Sequence, residues 1–459
     1  MNDTANKKQP LSSWRRILLA LVLAVMVLLA FLILTDWLMA RRLGNEIIKI
    51  SQSGEPITFL DLQAGLNRSS GTGEDAATYY EEGLFGMLRG DLGNLSKVNT
   101  FYRKSIMSLP ANQFPGEIKE KVAESLAKLQ PMLEKFDKAA ALPLPRFDIG
   151  IEHGMKVCRT SLNCTQTAAF LLSLRTLHLV QQGEDDAAVD SVITMLKMTR
   201  VLDSCPTMVL HTAKAVLVAH ACEDIYLLLE YAHPSEKALA RLQDALSRAI
   251  APNMLERMFF AERAYKLEIA RNLMPDNITS RYLQDKVPDL PERLSLPSSR
   301  WGRLRVRQKS VEYLRDMAKL VTIAQRPWPG PLDAADTDLP LPTAGKPGGL
   351  LSSGAVFIHL TAETIALMRC SILAIAIERY QRQHGELPAD LDDLCPAYID
   401  SLPLDLFTGK KLLFSHDEET YAVYSVGTNR QDDGGPVVRQ ANEGGPRDFG
   451  LRIRLRKPR

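Results

Sequence analysis

The sequence predicts a mainly α fold: an N-terminal transmembrane helix, an irregular α-hairpin domain and a small C-terminal α+β module. Three observations predict it. One apolar run near the N-terminus carries no charge from Ile17 to Thr35. Apolar residues then recur at helical spacing across most of residues 75–275. Only the last hundred residues alternate with period two, the signature of strands. The length of 459 residues suggests about three domains. Lys and Arg number 56 against 54 Asp and Glu, a balance without the positive excess of a nucleic-acid binder, and no nucleic-acid partner is expected. With 46% hydrophobic and 24% charged residues the chain is not globally disordered. A mean hydropathy of −0.10 is too polar for a multi-span membrane protein.

The run Ile17–Thr35 would extend about 28 Å as a helix, close to the thickness of bilayer hydrocarbon. Trp14 and Trp37 stand near its ends, where amphipathic rings favour the interface. Lys7, Lys8, Arg15 and Arg16 precede it and favour a cytoplasmic N-terminus; Arg41 and Arg42 on the other side reduce the bias. The expectation is a single-pass signal anchor at residues 15–40 in the inner membrane, with a short cytoplasmic tail at 1–14 and the bulk of the chain in the periplasm. A cleaved signal peptide is the alternative. Its apolar core would run only about 7–15 residues, and Leu38, Met39 and Ala40 make a poor cleavage site.

The six cysteines are Cys158, Cys164, Cys205, Cys222, Cys370 and Cys395, none in C-x-x-C spacing. They permit disulfides in an oxidising compartment, or buried free thiols. Cys205 to Cys222 is disfavoured: on one helix the two stand about 24 Å apart, whereas a disulfide needs Cα atoms within about 7 Å.

Residues 41–74 read as a juxtamembrane linker, with turn signals at Ser51–Gly54 and Ser69–Gly73. Ala76, Tyr79, Tyr80 and Leu84 predict a helix over 75–90. Ile118, Val122, Leu126, Leu129 and Leu133 make an amphipathic stripe over 115–138. Ala168–Gln182 is rich in leucine and stops at Gly183. Acidic residues 184–186 open the next helix, to about Leu202, as the helix dipole favours. Pro206 opens a third with Leu210, Ala213, Val216, Leu217, Ala221 and Ile225 on one side; Ser235 caps a fourth, and 253–273 forms a fifth. This succession resembles tetratricopeptide-type repeats loosely, without a recurring period of 34. Residues 276–350 combine a basic helix over 302–324, with Arg303, Arg305, Arg307 and Lys309, and a linker holding six prolines and four glycines in residues 326–350.

In the module at 351–459, a long helix over 355–384 carries two apolar seams and stops at Gly385. Asp390 caps a short helix that turns Leu391, Leu394 and Tyr398 inward. Strands follow at Leu412–Ser415 and Tyr421–Val426. The tail alternates from Leu451 through Ile453 and Leu455, with Arg452, Arg454 and Arg456 between. The arginines fit either an anionic lipid or acidic partner, or an edge strand guarded by charge.

Several of these residues carry a resemblance. Glu378–Tyr380, His384, Gly385, Pro388, Leu391, Leu394, Pro403–Asp405, Thr408, Gly409, Tyr424–Gly427 and Asp432–Gly435 stand in an order similar to the C-terminal part of type II secretion major pseudopilins. The resemblance covers about 80 residues, as a rough count of the span it touches. It implies a long helix backed by a small sheet, and a Gly- and Asp-rich loop that binds calcium, here offering Asn429, Asp432 and Asp433. A solvated Asp-Gly turn is the other reading of that loop. The chain departs from the family: the pseudopilin cleavage motif is missing before the apolar run, so processing and polymerisation as a pilin are not implied. Gly54–Thr58, Ala76, Ala77, Tyr79 and the order of segments also resemble a family of single-pass bacterial envelope proteins of uncharacterised function. That likeness implies architecture and no activity.

There is no G-x-S-x-G, H-E-x-x-H, P-loop or G-x-G-x-x-G motif. The eight histidines lack metal-ligand spacing, and no catalytic residue or cofactor site is assigned. His153, beside Asp148 and Glu152, is the best general-base candidate; His178 reads as a core or boundary histidine. The sequence therefore favours an anchored interaction or scaffold protein, associated with a secretion or pilus-like assembly, with the membrane and unidentified proteins as partners. The alternative is an anchored enzyme with a site in the helical domain that no motif marks.

Overall fold

A computed structural model of the chain describes residues 13–57, 61–62, 79, 82, 116–142, 154–203, 206–272, 300–340, 349–436 and 448–455. The expected helix over 75–90, the Ser69–Gly73 turn, His153, Cys205 and Arg456 lie outside these residues. The chain is mostly helical, with ten α-helices and one three-stranded sheet among the described residues. The helices are α1 (Ser13–Gln52), α2 (Gly116–Ala141), α3 (Gly154–Gln182), α4 (Asp185–Leu202), α5 (Met208–Tyr231), α6 (Glu236–Ala249), α7 (Met254–Asn272), α8 (Arg300–Ala324), α9 (Gly330–Thr337) and α10 (Leu350–His384). The strands are β1 (Leu413–His416), β2 (Thr420–Ser425) and β3 (Phe449–Arg454).

The packing separates into two compact units, residues 1–57 with 266–316, and residues 58–265 with 317–459. These differ from the segments read in the sequence, because the C-terminal helix shares its core with the helices at 165–265. In the first unit, α1 is longer than the expected anchor and takes up the start of the expected linker. Past the apolar run it remains amphipathic: Leu43 and Ile50 are buried with Val311 and Leu314 of α8, flanked by Ile47, Ile57, Leu267 and Tyr313. The charge-free part of α1 is long and apolar enough to cross a membrane, and none of it is buried.

In the second unit each helix is set by local signals and then covered by its neighbours. Gly183 ends α3 with φ +76°, a left-handed conformation that glycine adopts without strain. Asp185 and Asp186 open α4. Thr207 caps α5 and Ser235 caps α6, accepting the Ala238 N–H at 3.1 Å, a contribution of about 1 kcal/mol. On α6, Leu239, Leu242 and Leu246 are fully buried, each stabilising the fold by roughly 2 kcal/mol. Helix α3 packs on α4 and α5, α4 on α5 and α6, and α2 on α3 and α4. Helix α10 lies against both α5 and α6 and so fills the surface those helices would present to a partner. It is also long and apolar enough to span a bilayer, but 78% of its apolar window is buried, as in the core helix of a soluble body. Gly354 lets it approach α8, since a Cβ there would collide with Leu320.

The proline-rich stretch is not wholly a linker. Pro331 sits in the first turn of α9, where its missing N–H is no loss, and Leu332, Ala334 and Ala335 are buried with α9 against α10.

Gly385 closes α10 with φ +79°. Asp390 and Asp393 then form a capping box on the 3₁₀ turn Leu391–Leu394, which buries Leu391, Leu394 and Tyr398. The sheet is antiparallel in the order β1-β2-β3, pairing Tyr421 with Ile453 and Val423 with Leu451. These four side chains are buried on one face, which packs on α10. Gly450 opposes Tyr424; a Cβ at 450 would overlap the Val423 carbonyl and the Tyr424 backbone, so only glycine fits. Both strands of the expected pair and the tail strand form. Cys222 and Cys370 are buried free thiols and Cys395 is a half-buried one. Burial pushes the Cys222 thiol up to about 12.

Candidate functional site

Asn429, Asp432 and Asp433 do come together in the loop between β2 and β3. Asp405, buried at 2% exposure, anchors its entrance by accepting the Ser425 hydroxyl at 2.8 Å and the Val426 N–H at 3.3 Å. Gly434 and Gly435 take φ of +92° and +88°. A Cβ at Gly435 would crowd Tyr424 and Arg452, so glycine is needed there for space as well as for conformation.

The loop satisfies itself. Asp432 Oδ1 accepts the Tyr424 hydroxyl at 3.1 Å and the Gly434 N–H at 2.9 Å. Asn429 Nδ2 donates to Asp433 Oδ2 at 2.8 Å, and Asn429 Oδ1 accepts the Gln431 N–H at 3.1 Å. Asp448, which sequence reading did not single out, accepts the N–H groups of Asp433 and Gly435 at 2.9 and 2.8 Å. Burial raises the Asp448 carboxyl above its usual range, with Asp433 and Asp432 adding to the rise. Its Oδ1 is buried without a hydrogen-bond partner.

The donor set is all oxygen, as calcium requires, and in this structure those oxygens are engaged in hydrogen bonds within the protein. Among the described residues no three His, Cys, Asp or Glu side chains gather closely enough to hold a metal ion. Calcium would have to displace the Tyr424 and amide hydrogen bonds. Isothermal titration of the full chain in detergent should give no saturable heat at millimolar calcium. Saturable heat that disappears in Asp448→Asn would reverse this.

The tail arginines are occupied within the fold. Arg452 donates to the carbonyls of Pro436 at 3.0 Å and Gly434 at 3.1 Å, bracing the same loop. Arg454 pairs with the buried Glu230 carboxylate at 3.2 Å, and its own N–H donates to that group at 2.9 Å. Among the described strands β3 pairs only with β2, so these contacts guard an edge. Arg430 adds a clamp at the loop's far end, pairing with Asp333 at 2.5 Å and Asp336 at 3.1 Å of α9.

A cavity of about 420 Å³ opens between α2, α3 and α4, within the range of ligand and peptide clefts. Arg175 grips Asp137 through two hydrogen bonds of 2.7 and 2.9 Å, and Arg241 pairs with Asp190 at 2.7 Å. Lys197 donates to the Ala140 carbonyl at 2.7 Å, at the end of α2. Leu179 and Ile193 supply apolar lining. The cleft thus presents both signs of charge around a small apolar area.

A second polar group, unmarked by any motif, lies inside the helical core. Lys214, at 1% exposure, donates to both carboxylate oxygens of Asp203 at 2.8 Å. Arg257 donates to the Asp203 carbonyl at 3.0 Å. Glu262 accepts the Met208 N–H at 3.1 Å, an unpaired donor at the start of α5. Arg263, at 1% exposure, lies 5.0 Å over the Phe260 ring. His211 is equally buried, and its Nε2 is 2.9 Å from Thr361 Oγ1. The Thr361 hydroxyl proton goes to the Phe357 carbonyl, so the ring proton sits on His211 Nε2 and points at Thr361. Burial, reinforced by the Lys214 ammonium, lowers the His211 pKa to about 3. This imidazole is therefore neutral at ordinary pH. His178, by contrast, is half-buried and meets Gln182 at 2.9 Å on its own helix. The signal that could have found the buried group is His211 and Lys214, three residues apart among apolar residues on α5.

No protein-family model, curated protein or solved structure matches this chain.

Proposed function

We propose that the chain is a single-pass, membrane-anchored interaction protein, with a cytoplasmic N-terminus at the inner membrane and its bulk in the periplasm. The observation that carries this reading is the apolar half of α1, none of which is buried. Elsewhere the large apolar side chains are mostly covered; here an unbroken row of them faces outward, a surface that a bilayer would cover. Interaction rather than catalysis is supported by the cleft of α2, α3 and α4, with its mixed charges and open mouth. In this reading the protein serves a secretion or pilus-like assembly, following the resemblance of its last 80 or so residues to major pseudopilins.

The test is affinity recovery of the full chain from detergent-solubilised membranes. Secretion components should co-purify reproducibly, and R241E should lose them while keeping the wild-type melting temperature within a few degrees, since this side chain lies in an exposed pair with Asp190. Recovery of the chain alone, or equal recovery by the variant, refutes the reading.

The competing reading, an anchored enzyme, draws on the buried group of His211, Lys214 and Asp203. It is the weaker of the two, because His211 is only 1% exposed and its one ring proton is committed to Thr361.

A further inference from the structure

The cleft of α2, α3 and α4 holds three cations, Arg175, Lys197 and Arg241, against two carboxylates, Asp137 and Asp190. The hydrogen bonds already made inside it decide which charge is left over. Asp137 Oδ1 accepts from Arg175 and from Thr194, the latter at 3.2 Å, and its Oδ2 accepts from Arg175 again. Arg175 also gives its Nε–H to Ser191 at 3.0 Å, so this pair is locked from both sides. Asp190 is matched by Arg241. Lys197 meets no carboxylate among the described residues and donates to the Ala140 carbonyl.

That bond caps the last turn of α2, but a helix C-terminus offsets only about half a unit charge. The ammonium carries a whole one. It also has three N–H donors, two of which remain for solvent or a ligand. Lys197 is half-buried, where an unmatched charge is less well screened than at an open surface. The group left over is thus a cationic donor, and its complement is an anion. Asp137 and Asp190 line the same cleft and would repel a doubly charged phosphate more than a singly charged carboxylate.

Helix α4 sets the spacing around this lysine. Asp190, Thr194 and Lys197 stand at i, i+4 and i+7 on one face, with Ile193 beside them. Ile193 precedes Lys197 by four residues, about 6 Å along the axis. In an extended chain, side chains two positions apart are separated by nearly the same distance and point to the same side. Ile193 and Leu179 form the apolar part of the lining, and Ala141 and Ala187, both exposed, leave room for a backbone. The mouth is open, so a chain can pass through the cleft rather than end in it.

We propose that this cleft binds an extended acidic segment of a partner protein, with an aspartate or glutamate carboxylate on Lys197 and an aliphatic side chain two positions away against Ile193 and Leu179. The proposal rests on the reading of the cleft as the interaction site and adds the chemistry of what enters it.

Random decapeptides displayed on phage and selected on the full chain in phosphatidylcholine nanodiscs test it. Selected sequences should be enriched several-fold in Asp or Glu two positions from Leu, Ile or Val. A synthetic peptide of the commonest selected sequence should bind about tenfold more weakly once its acidic residues become Asn or Gln, and about tenfold more weakly to K197Q, the loss of one charge-assisted hydrogen bond. K197R should keep most of the affinity. Because Lys197 also caps α2, the melting temperature of K197Q is read alongside. Should that variant not fold, A141D, which sets a carboxylate next to the residue that Lys197 caps, must weaken the peptide by a similar factor. Acidic peptides that bind K197Q and A141D as tightly as the wild type place the site elsewhere and overturn the proposal. Sequences selected without acidic enrichment, or no selection at all, overturn the carboxylate preference; the interaction cleft then stands or falls separately, with the loss of co-purified proteins in R241E.

Discussion

Replacing Lys214 by methionine is expected to lower the unfolding free energy by about 3–5 kcal/mol, the usual cost of removing one partner from a buried ion pair. The Lys214 side chain is 2% exposed and that of Asp203 15%, and both carboxylate oxygens of Asp203 are held by this one ammonium. Methionine fills nearly the same space, so the loss comes from the uncompensated carboxylate rather than from a cavity. The double variant Lys214→Met, Asp203→Asn should recover most of the stability, because two buried charges are then removed together. Urea unfolding of the full chain in detergent, followed by circular dichroism, supplies the comparison. A double variant no more stable than the single one would mean that Asp203 is held by solvent or by Arg257, and that the pair is not the unit of stability.

Acid should weaken the fold through His211. In the unfolded chain this imidazole has its ordinary pKa of 6.5, whereas in the core it is lowered to about 3. Between those values the unfolded chain takes up a proton that the folded chain refuses. Stability is therefore level above about pH 6.5 and falls as the pH drops through the window toward 3. The slope is about 1.4 kcal/mol per pH unit from this group, or about 2 kcal/mol lost between pH 7 and pH 5. Other groups titrate over the same range, so the quantity to measure is the difference from His211→Gln, a side chain that keeps a donor for Thr361. The variant should lose less stability on acidification by that amount. Parallel pH profiles for the two proteins would show that His211 is reached by solvent when folded.

Much of the architecture was legible because it is written locally. Ser235, Gly183, Gly385 and Asp390 each end or begin an element through a hydrogen bond or a left-handed residue close in sequence, and each does so where expected. The alternation of Leu451 and Ile453 with arginines likewise predicted β3 and its buried face. The misreadings were at boundaries. Helix α1 continues to Gln52 because Leu43, Ile47 and Ile50 keep a helical spacing that the polar residues around them obscure. A proline-rich run hid α9 because prolines that break a helix interior also start one, and the difference is positional.

The proposed ligand loop and the buried polar group show the same division at the level of function. Asn429, Asp432 and Asp433 are near in sequence and so were found together, but whether their oxygens face an ion or one another depends on Tyr424 and on Asp448, reached across the strand pair. His211, Lys214, Asp203, Glu262 and Thr361 span more than 150 positions and lie on three helices and a turn. Nothing in their spacing marks them as neighbours.

By itself the sequence determined the apolar helix, the order and caps of the helices, and the pairing faces of the strands, since these depend on side-chain periodicity and on interactions within a few residues. Only the tertiary structure decided that α10 is a core helix laid against α5 and α6, that the tail arginines serve Glu230 and the β2–β3 loop, and that His211 is held neutral. Each of those depends on burial, and burial belongs to the neighbours a residue acquires rather than to the residue: the same apolar helix is a span or a core, and the same imidazole a base or a silent donor, according to what covers it.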